Sequence, residues 1–353
     1  MPAIDPYLLE ILERRGSDLH FLAGDPPRIR LFGDLQPLKP EKLEPQFVED
    51  ALLEIMPRAA RERFESRDGA DFAYSLADRA RFRVNVLRHL GGTGAVFRAI
   101  PSQAMTLDEL NLPQAVRQMC RASNGLILVT GKTGSGKSTT LAAMIDDINS
   151  RVKGHILTIE DPIEFVHRRK SCLVSQREIG VHAASFSAAL HSALREDPDV
   201  ILVGELRDIE TMSIAVTAAE TGILVMGTLH TNGAAQTVDR MINVFPAEKQ
   251  SHVRTMLSTS LKGVVSQQLL KRADGKGRVA ALEILVNTPA AANLIRQGKL
   301  DQLENTMQSG AQFGMRTMDK AIQQLLDQRL VTGAEAFKKA INKTRFEAVK
   351  DQG

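Results

Sequence analysis

The segment GKTGSGKST, residues 131–139, constrains the fold of this chain more than any other segment. The hydrophobic run GLILVT precedes it, and the helix-forming run TLAAMIDDIN follows it. The segment satisfies the pattern G-x-x-x-x-G-K-[ST], in which glycines let the backbone curl around an anion at the start of a helix. The sequence therefore predicts a strand, a phosphate-binding loop and a helix, in this order. We call residues 131–139 the phosphate loop.

The phosphate loop is expected to bind a nucleotide through backbone and side-chain groups. Lys137 would reach the β- and γ-phosphates, and the hydroxyl of Ser138 would ligate Mg²⁺. The positive N-terminal end of the following helix would face the same anion. The other loop residues predicted to bind the nucleotide are Gly131, Thr133, Gly134, Ser135, Gly136 and Thr139.

Two acidic clusters follow apolar runs that we expect to be strands. Glu205 follows the run DVILVG, and Glu160, Asp161 and Glu164 follow or closely trail the run HILTI. Ligands of open α/β sheets collect at the carboxyl ends of strands, so both clusters can face the phosphate loop. Hydrolysis needs one acid to organise Mg²⁺ and another group to orient the attacking water. The alternative for each cluster is a solvated loop or a helix N-terminal cap.

One histidine and two arginines are further candidates near these clusters. His230 ends the run VMGTLH and could sense the γ-phosphate or link the sheet to a neighbour, although a lone histidine is more often structural. Arg195 and Arg207 flank the Glu205 cluster and could contact phosphates. Surface ion pairs are the alternative for both arginines.

From about residue 114, short apolar runs alternate with helical stretches. This alternation predicts an α/β fold with a mainly parallel sheet that is covered on both faces. The expected strands are GLILVTG, HILTIEDP, DVILVGE, ILVMGTLHT and RVAALEILV. The expected helices are SFSAALHSALRE, IETMSIAVTAAET and AEKQSHVRTMLSTSLKGVVSQQLL, and the chain from Pro289 onward is expected to be helical.

Residues 1–100 predict a small mixed domain that begins with an amphipathic helix. Two neighbouring runs alternate apolar and polar residues, which predicts a β-hairpin, and GAVFRAI predicts another strand. Residues 101–113, bracketed by Pro101 and Pro113, are expected to link this domain to a second one at 114–353. The apolar positions of the hairpin are Phe72, Tyr74, Leu76, Phe82, Val84 and Val86.

Composition narrows the class of protein. The 45 basic and 42 acidic side chains nearly balance, and two tyrosines with no tryptophan offer little surface for stacking bases, so we expect no nucleic-acid partner. Cys120 and Cys172 form no CxxC pair, which favours a reducing compartment. The chain lacks both a signal-like N-terminus and an apolar run of roughly 18 residues. We therefore expect a soluble cytoplasmic protein that does not insert into a membrane.

The motifs resemble those of a known superfamily. The phosphate loop, TIEDPIE, PDVILVGELRD and GTLHTN resemble, in this order, the Walker A, Asp box, Walker B and His box of the secretion ATPases, the hexameric motors of type IV pili and type II secretion. The resemblance covers nearly the whole chain. It implies a RecA-like P-loop ATPase domain, preceded by a PAS-like α+β domain and followed by C-terminal helices. It also implies ATP, Mg²⁺, a homohexamer and a PilC-like platform protein at the inner face of the bacterial cytoplasmic membrane.

The resemblance assigns roles to five residues. Glu164 matches the general base that acts on the attacking water, and Glu205 matches the Walker B glutamate that organises Mg²⁺. His230 matches a His-box residue near the phosphates. Arg83 and Arg98 match arginines that a neighbouring domain brings to the γ-phosphate; their alternative is a pair of strand-surface arginines.

Within the superfamily, the pilus retraction ATPases are the closest match. The chain has their length and lacks the four-cysteine zinc motif of the extension ATPases. The segment AAANLIRQGK, residues 290–299, resembles the retraction signature AIRNLIREGK, although Ala291, Ala292 and, in the phosphate loop, Lys132 depart from the common pattern. An accessory retraction motor, an extension or type II secretion ATPase, and a ring subunit that binds ATP to assist a paralogous motor remain alternatives. The signature residues that match are Asn293, Leu294, Ile295 and Arg296.

Overall fold

The structure of this chain is a computed structural model, and it divides into two compact units, Met1–Gln103 and Ala104–Gly353. Each unit buries hydrophobic core residues of its own. The residues that the structure describes are 1–31, 34–66, 69–77, 79–100 and 104–351.

The first unit packs helices against an antiparallel sheet. Among its described residues, the sheet has six strands in the order β3-β2-β1-β6-β5-β4. Its strands are β1 (Asp18–Leu22), β2 (Arg28–Leu31), β3 (Asp34–Pro37), β4 (Gly69–Leu76), β5 (Ala80–His89) and β6 (Gly92–Ile100), and its helices are α1 (Asp5–Glu13), α2 (Pro45–Ile55) and α3 (Arg58–Ser66).

The predicted hairpin is confirmed as the antiparallel pair β4 and β5. Phe82, Val84 and Val86 of β5 are fully buried, whereas the intervening Arg83 and Asn85 are exposed. Because successive side chains of a strand point to opposite faces, β5 presents one face to the core and the other to solvent.

The second unit is built on a mainly parallel sheet, as the alternation of strands and helices predicts. In the described chain its order is β13-β12-β7-β11-β10-β8-β9, and the antiparallel pair is β12 with β13. The strands are β7 (Gly125–Thr130), β8 (His155–Glu160), β9 (Leu173–Glu178), β10 (Val200–Val203), β11 (Leu224–Leu229), β12 (Leu261–Lys271) and β13 (Arg278–Val286).

Helices cover this sheet and continue to the C-terminal end of the described chain, which confirms the helical prediction from Pro289 onward. Short 3₁₀ helices lie at Leu300–Gln302, Ala311–Phe313 and Lys343–Val349. No helix among the described residues is long and apolar enough to span a membrane. The α-helices are α4 (Gln114–Met119), α5 (Lys137–Arg151), α6 (Phe186–Ala193), α7 (Ile209–Glu220), α8 (Ala234–Asn243), α9 (Ala247–Ser260), α10 (Pro289–Gln297), α11 (Leu303–Ser309), α12 (Met318–Asp327) and α13 (Gly333–Lys339).

Strand β7 shows why the central strands are continuous apolar runs. Every residue of β7 is buried. Leu126 and Leu128 belong to one hydrophobic cluster, and Ile127 and Val129 belong to another. The strand therefore lies between two cores, so both of its faces need apolar side chains.

The prediction of one long helix from Ala247 to residue 270 is wrong in its second half. Helix α9 ends at Ser260, and the next residues form β12, which pairs in parallel with β7 and antiparallel with β13. Val264 and Val265 pack into the two different clusters, as adjacent residues of a buried strand do. The backbone bonds to both neighbouring strands outweigh the helical spacing of the apolar residues.

Two further parts of the chain differ from the sequence-based outline. Strand β9, which the sequence did not indicate, adds to the edge of the sheet beside β8 and has partly exposed polar residues. Leu107, inside the predicted linker, is buried in the same cluster as Val116, so this segment packs as part of the second unit. Pro101 lies outside the described residues.

Candidate functional site

The phosphate loop connects β7 to α5, as predicted. Gly131, Gly134 and Gly136 have φ angles of 139°, 77° and 89°, a region that residues with a side chain rarely adopt. Lys137, the first residue of α5, donates from Nζ to the carbonyl oxygens of Gly131 at 2.8 Å and Lys132 at 3.3 Å. The loop therefore curls around the ammonium group that we expect to meet a phosphate.

The pKa of Lys137 depends on two other predicted site residues, Glu164 and Glu205. Burial lowers the pKa of Lys137, and the negative charges of Glu205 and Glu164 act in the opposite direction. Both carboxylates therefore favour the charged form of the loop lysine. Ser138 and Thr139 follow Lys137 in the first turn of α5 and are partly accessible to a ligand.

Glu205 lies just beyond β10 and is held by two cationic or potentially cationic side chains. Nη2 of Arg207 lies 2.7 Å from its Oε2, and Nε2 of His230 lies 3.3 Å from its Oε1. Burial alone would raise the pKa of Glu205, but the hydrogen bonds and charges of Arg207 and His230 outweigh burial and lower it. The carboxylate is thus kept ionised. Arg207 contacts this acid in the structure, so its predicted contact with a phosphate stays a prediction.

The acidic cluster at the end of β8 consists of a buried acid, Glu160, and exposed acids beyond the strand. The carboxylate of Glu160 accepts hydrogen bonds from Thr158 Oγ1 at 2.6 Å, Gln176 Nε2 at 3.2 Å and the backbone N–H of Glu164 at 3.4 Å. Burial raises the pKa of Glu160. Glu164 itself is exposed. Asp161 is also exposed, and its charge acts on Arg207.

Gln176 of β9 holds the loop that carries Glu164, a role that no pattern in the sequence indicated. Its Oε1 accepts from the backbone N–H of His167 at 2.8 Å, and its Nε2 donates to the carbonyl oxygen of Phe165 at 2.8 Å as well as to Glu160. The exposed acid therefore lies on a loop that is tied to the edge of the sheet.

The loop after β11, which contains His230, is tied to neighbouring strands by residues that the sequence did not single out. The backbone N–H of Gly233 donates to Ser266 Oγ at 2.9 Å. Glu283 of β13 accepts from the N–H of Ala234 at 2.6 Å with one oxygen, and from the N–H of Met318 at 3.0 Å with the other. Ala234 begins α8 and Met318 begins α12, so one buried carboxylate caps two helices.

The two candidate arginines of the first unit lie on the exposed face of its sheet. Arg83 of β5 and Arg98 of β6 are directly opposite in the strand register. Nε of Arg98 lies 2.8 Å from Oδ1 of the buried Asp18, and Nε of Arg83 lies 3.9 Å from Oδ1 of Asp71. These contacts fit the strand-surface alternative as they stand, and the predicted role at the γ-phosphate stays a prediction.

The remaining candidates lie away from the ion pairs described above. Arg195 is exposed just beyond α6, and the structure leaves its predicted phosphate contact untested. In the signature segment, Ile295 of α10 is buried, whereas Arg296 is exposed and donates to Asn293 Oδ1 at 2.8 Å. Helix α10 thus uses one side of the signature for packing and leaves polar residues of the other side accessible.

Comparisons with known proteins agree with the motifs. The family model described as Type II/IV secretion system protein matches residues 1–345. The chain is 50% identical over 334 residues to the Type IV pilus retractation ATPase PilT of Pseudomonas aeruginosa, which covers 94% of this chain and 97% of that protein. It is 42% identical to the Type IV pilus ATPase PilU of the same organism, over 93% of this chain and 86% of that one. A crystal structure of the pilus retraction motor PilT with bound ADP matches with a TM-score of 0.91 at 42% identity, over 98% of this chain and 99% of the other.

Proposed function

Because the chain belongs to the family of type II/IV secretion system proteins, we propose that it is an ATPase that powers retraction of a type IV pilus. The observation that carries the proposal is the phosphate loop, closed around Lys137 and influenced by the charges of Glu164 and Glu205. The near full-length similarity to a retraction ATPase supports the direction of the work. The ADP bound to the similar motor supports the class of nucleotide.

Binding begins at the phosphate loop. The positive end of α5 and the ammonium group of Lys137 attract the phosphates of ATP. Lys137 then exchanges the carbonyl oxygens of Gly131 and Lys132 for phosphate oxygens, which are stronger acceptors because they carry charge. The remaining residues of the loop hold the nucleotide through its phosphates.

The residues beside the loop fit a magnesium ion. Mg²⁺ prefers hard oxygen ligands and keeps several waters, and the Ser138 hydroxyl and the ionised Glu205 carboxylate are such ligands. When bound, the ion would neutralise charge on the phosphates. Glu205 now binds Arg207, so an incoming phosphate would compete with Glu205 for this arginine.

Hydrolysis needs a base and donors to the γ-phosphoryl oxygens. Glu164, exposed on its tied loop, accepts a proton from the attacking water in this proposal. His230 keeps Glu205 oriented. We include Arg83 and Arg98 as donors that stabilise the charge of the transition state when the subunits assemble.

The setting of the motor is also part of the proposal. Six copies form a ring at the inner face of the cytoplasmic membrane and act on a PilC-like platform protein. The relative named PilU favours a second candidate, an accessory retraction motor that works beside a paralogous ATPase.

The test is a count of surface pili with twitching motility scored alongside, in cells that lack the gene and in cells that carry Lys137→Ala. More pili without movement in both strains would support retraction. Loss of pili would instead indicate an extension or secretion ATPase. Normal pili and movement would favour the accessory motor, and ATP hydrolysis by the purified protein would then separate this motor from a ring subunit without activity.

A further inference from the structure

Gln267 is a buried polar residue that lies outside every motif described above. It is 3% exposed and lies in β12, one residue beyond Ser266, which pairs with Thr130 at the end of β7. Because β7 leads directly into the phosphate loop, this register places Gln267 beside the start of the loop. A buried amide must satisfy both its donor and its acceptor, so its partners define its role.

Both polar atoms of the Gln267 amide form hydrogen bonds, one with the phosphate loop and one with the helix that follows it. Nε2 donates to the carbonyl oxygen of Ser135 at 2.7 Å, and Oε1 accepts from the hydroxyl of Thr140 at 2.7 Å. The carbonyl can only accept, so it fixes the orientation of the amide. Ser135 lies inside the loop and Thr140 lies in the first turn of α5, so one side chain connects the loop to the helix that follows it.

Two glycines of the loop motif are packed against the same residue. A β-carbon at Gly131 would lie 2.3 Å from the carbonyl oxygen of Gln267, and a β-carbon at Gly136 would lie 2.7 Å from its Nε2. Both distances are below those that real β-carbons show, so these positions need glycine for space as well as for their positive φ angles. Gln267 therefore lies against the loop on the side that the glycines leave open.

Ser135 receives a hydrogen bond from outside the phosphate loop. Its side-chain Oγ is buried and has no hydrogen-bond partner in the described parts of the chain. Its backbone N–H bonds back to the carbonyl oxygen of Lys132, within the loop itself. The bond from Gln267 thus connects Ser135 to β12.

We propose that Gln267 is a positioning residue for nucleotide binding, which holds the phosphate loop in its binding shape by tying Ser135 to Thr140. The inference rests on the proposed function of the loop. A loop that is ordered before binding loses less conformational entropy when the phosphates arrive, and this difference increases affinity. Gln267 contributes to affinity without touching the reacting atoms, so its loss affects binding more than turnover at saturation.

The experiment compares Gln267→Leu with Gln268→Leu in the full-length protein. Gln267→Leu removes both hydrogen bonds and nearly keeps the volume, whereas Gln268 is the half-buried neighbour on the opposite face of β12. Affinity for a fluorescent ADP and the kcat and KM for ATP are measured. We expect Gln267→Leu to weaken ADP binding about tenfold and to raise KM similarly, with kcat within about twofold, and Gln268→Leu to match the wild type.

A second variant keeps the test decisive if Gln267→Leu does not fold. Thr140→Val removes the hydroxyl and keeps the shape, and it should weaken ADP binding about threefold because one of the two bonds is lost. A thermal unfolding midpoint is recorded for each variant. A lower midpoint with unchanged affinity of the folded protein would mean a purely structural role and would overturn the inference.

The result also separates this inference from the proposed function. If the wild type, Gln267→Leu and Thr140→Val bind ADP equally tightly, the positioning role is wrong and the nucleotide site stands. If the wild type binds neither ADP nor ATP, the proposed function fails, and the inference fails with it.

Discussion

The two sheets of this protein place their polar residues in different positions. In the antiparallel sheet, polar side chains alternate along a strand, so Arg83 lies between the buried Phe82 and Val84 in the middle of β5. In the parallel sheet, every residue of β10 is buried, and the first acid, Glu205, comes after the strand has ended. A sheet with one covered face can carry functional groups along its length, whereas a sheet with two covered faces carries them at its ends.

The exposed face of the antiparallel sheet places two arginines side by side. Arg83 and Arg98 are directly opposite, and like charges in this arrangement destabilise a strand pair. Each arginine also has an acidic partner, with Asp18 2.8 Å from Arg98 and Asp71 3.9 Å from Arg83. The pair has either the predicted role at the γ-phosphate or the strand-surface role, and a variant of Arg83 distinguishes the two. The following predictions test this comparison.

The largest effect is expected for Glu164→Gln, a residue that lies beyond the end of β8. If the groups beyond the strand ends perform the chemistry, turnover should fall by about 10²–10⁴-fold, the usual contribution of a general base. Affinity for ATP should stay near the wild-type value because Glu164 lies outside the phosphate loop. Steady-state hydrolysis and equilibrium binding measure the two quantities. Glu210→Gln, an exposed acid in the first turn of α7, is the control, and retained turnover in Glu164→Gln would remove this residue as the base.

The phosphate loop supplies a second test at the same edge of the sheet. Lys137→Ala should weaken ADP and ATP binding about hundredfold or more, because charge-assisted hydrogen bonds contribute about 1.5–3 kcal/mol each. Lys132→Ala is the matched control, since Lys132 meets Lys137 through its backbone carbonyl. Isothermal titration of the two variants measures the difference. Equal affinities would refute the assignment of the loop.

Arg83→Ala tests whether the exposed face of the antiparallel sheet has a function. The free energy of unfolding should change by no more than about 0.5 kcal/mol, as for other exposed residues. By contrast, Leu128→Ala in the parallel sheet should lower the free energy of unfolding by about 2–5 kcal/mol because it leaves a cavity in a hydrophobic core. Turnover of the assembled Arg83→Ala protein should fall about tenfold or more. Normal turnover, with the same denaturation midpoint, would instead support the strand-surface alternative.

The smallest expected effect concerns the pH dependence of Asp18. Burial raises the pKa of Asp18, but hydrogen bonds from Ser17 and Arg98 and the charges of Arg98 and Arg30 lower it overall. A lowered pKa contributes stability that is present above the unfolded value of about 3.9 and is lost as pH falls through the folded value. In Arg98→Ala, the pKa of Asp18 should move back toward its unfolded value or above it, because burial is opposed by fewer groups. The variant should therefore lose stability at neutral pH and lose less on acidification than the wild type.

Thermal unfolding between pH 6 and 3 would reveal this shift. We expect Arg98→Ala to melt a few degrees below the wild type at pH 6, and the difference to shrink as the pH approaches 3. Arg83→Ala is the control because its partner Asp71 is exposed. Parallel curves for all three proteins would show that Arg98 does not set the pKa of Asp18.

The sequence predicted the strands that consist of continuous apolar runs. The strands β7, β8, β10, β11 and β13 were recognisable because burial on two faces demands continuous apolar runs. Strand β12 was not, since Leu257, Leu261, Val264 and Val265 continue the spacing of a helix, and only its partners β7 and β13 make it a strand. Strand β9 was missed because an edge strand needs few apolar residues.

The same reasoning explains which site residues were found. Lys137, Glu205 and Glu164 follow recognisable strands or belong to a motif, so their approximate position was available from the sequence. Gln176 and Gln267 were invisible because their roles depend on which backbone groups of distant segments lie within hydrogen-bond reach. No spacing in the sequence encodes such a contact.

The carboxylate of Glu283 limits what a truncation of this protein can show. It caps α8, next to the loop that carries His230, and also α12 in the C-terminal helices. A protein shortened before α12 would leave one oxygen of a buried acid without its N–H partner, and burial already raises the pKa of Glu283. The acid would then tend to take up a proton, and the cap at the start of α8 would lose its negative charge. A loss of activity after such a truncation would therefore report on the core of the motor, not on a separate task of the helices removed.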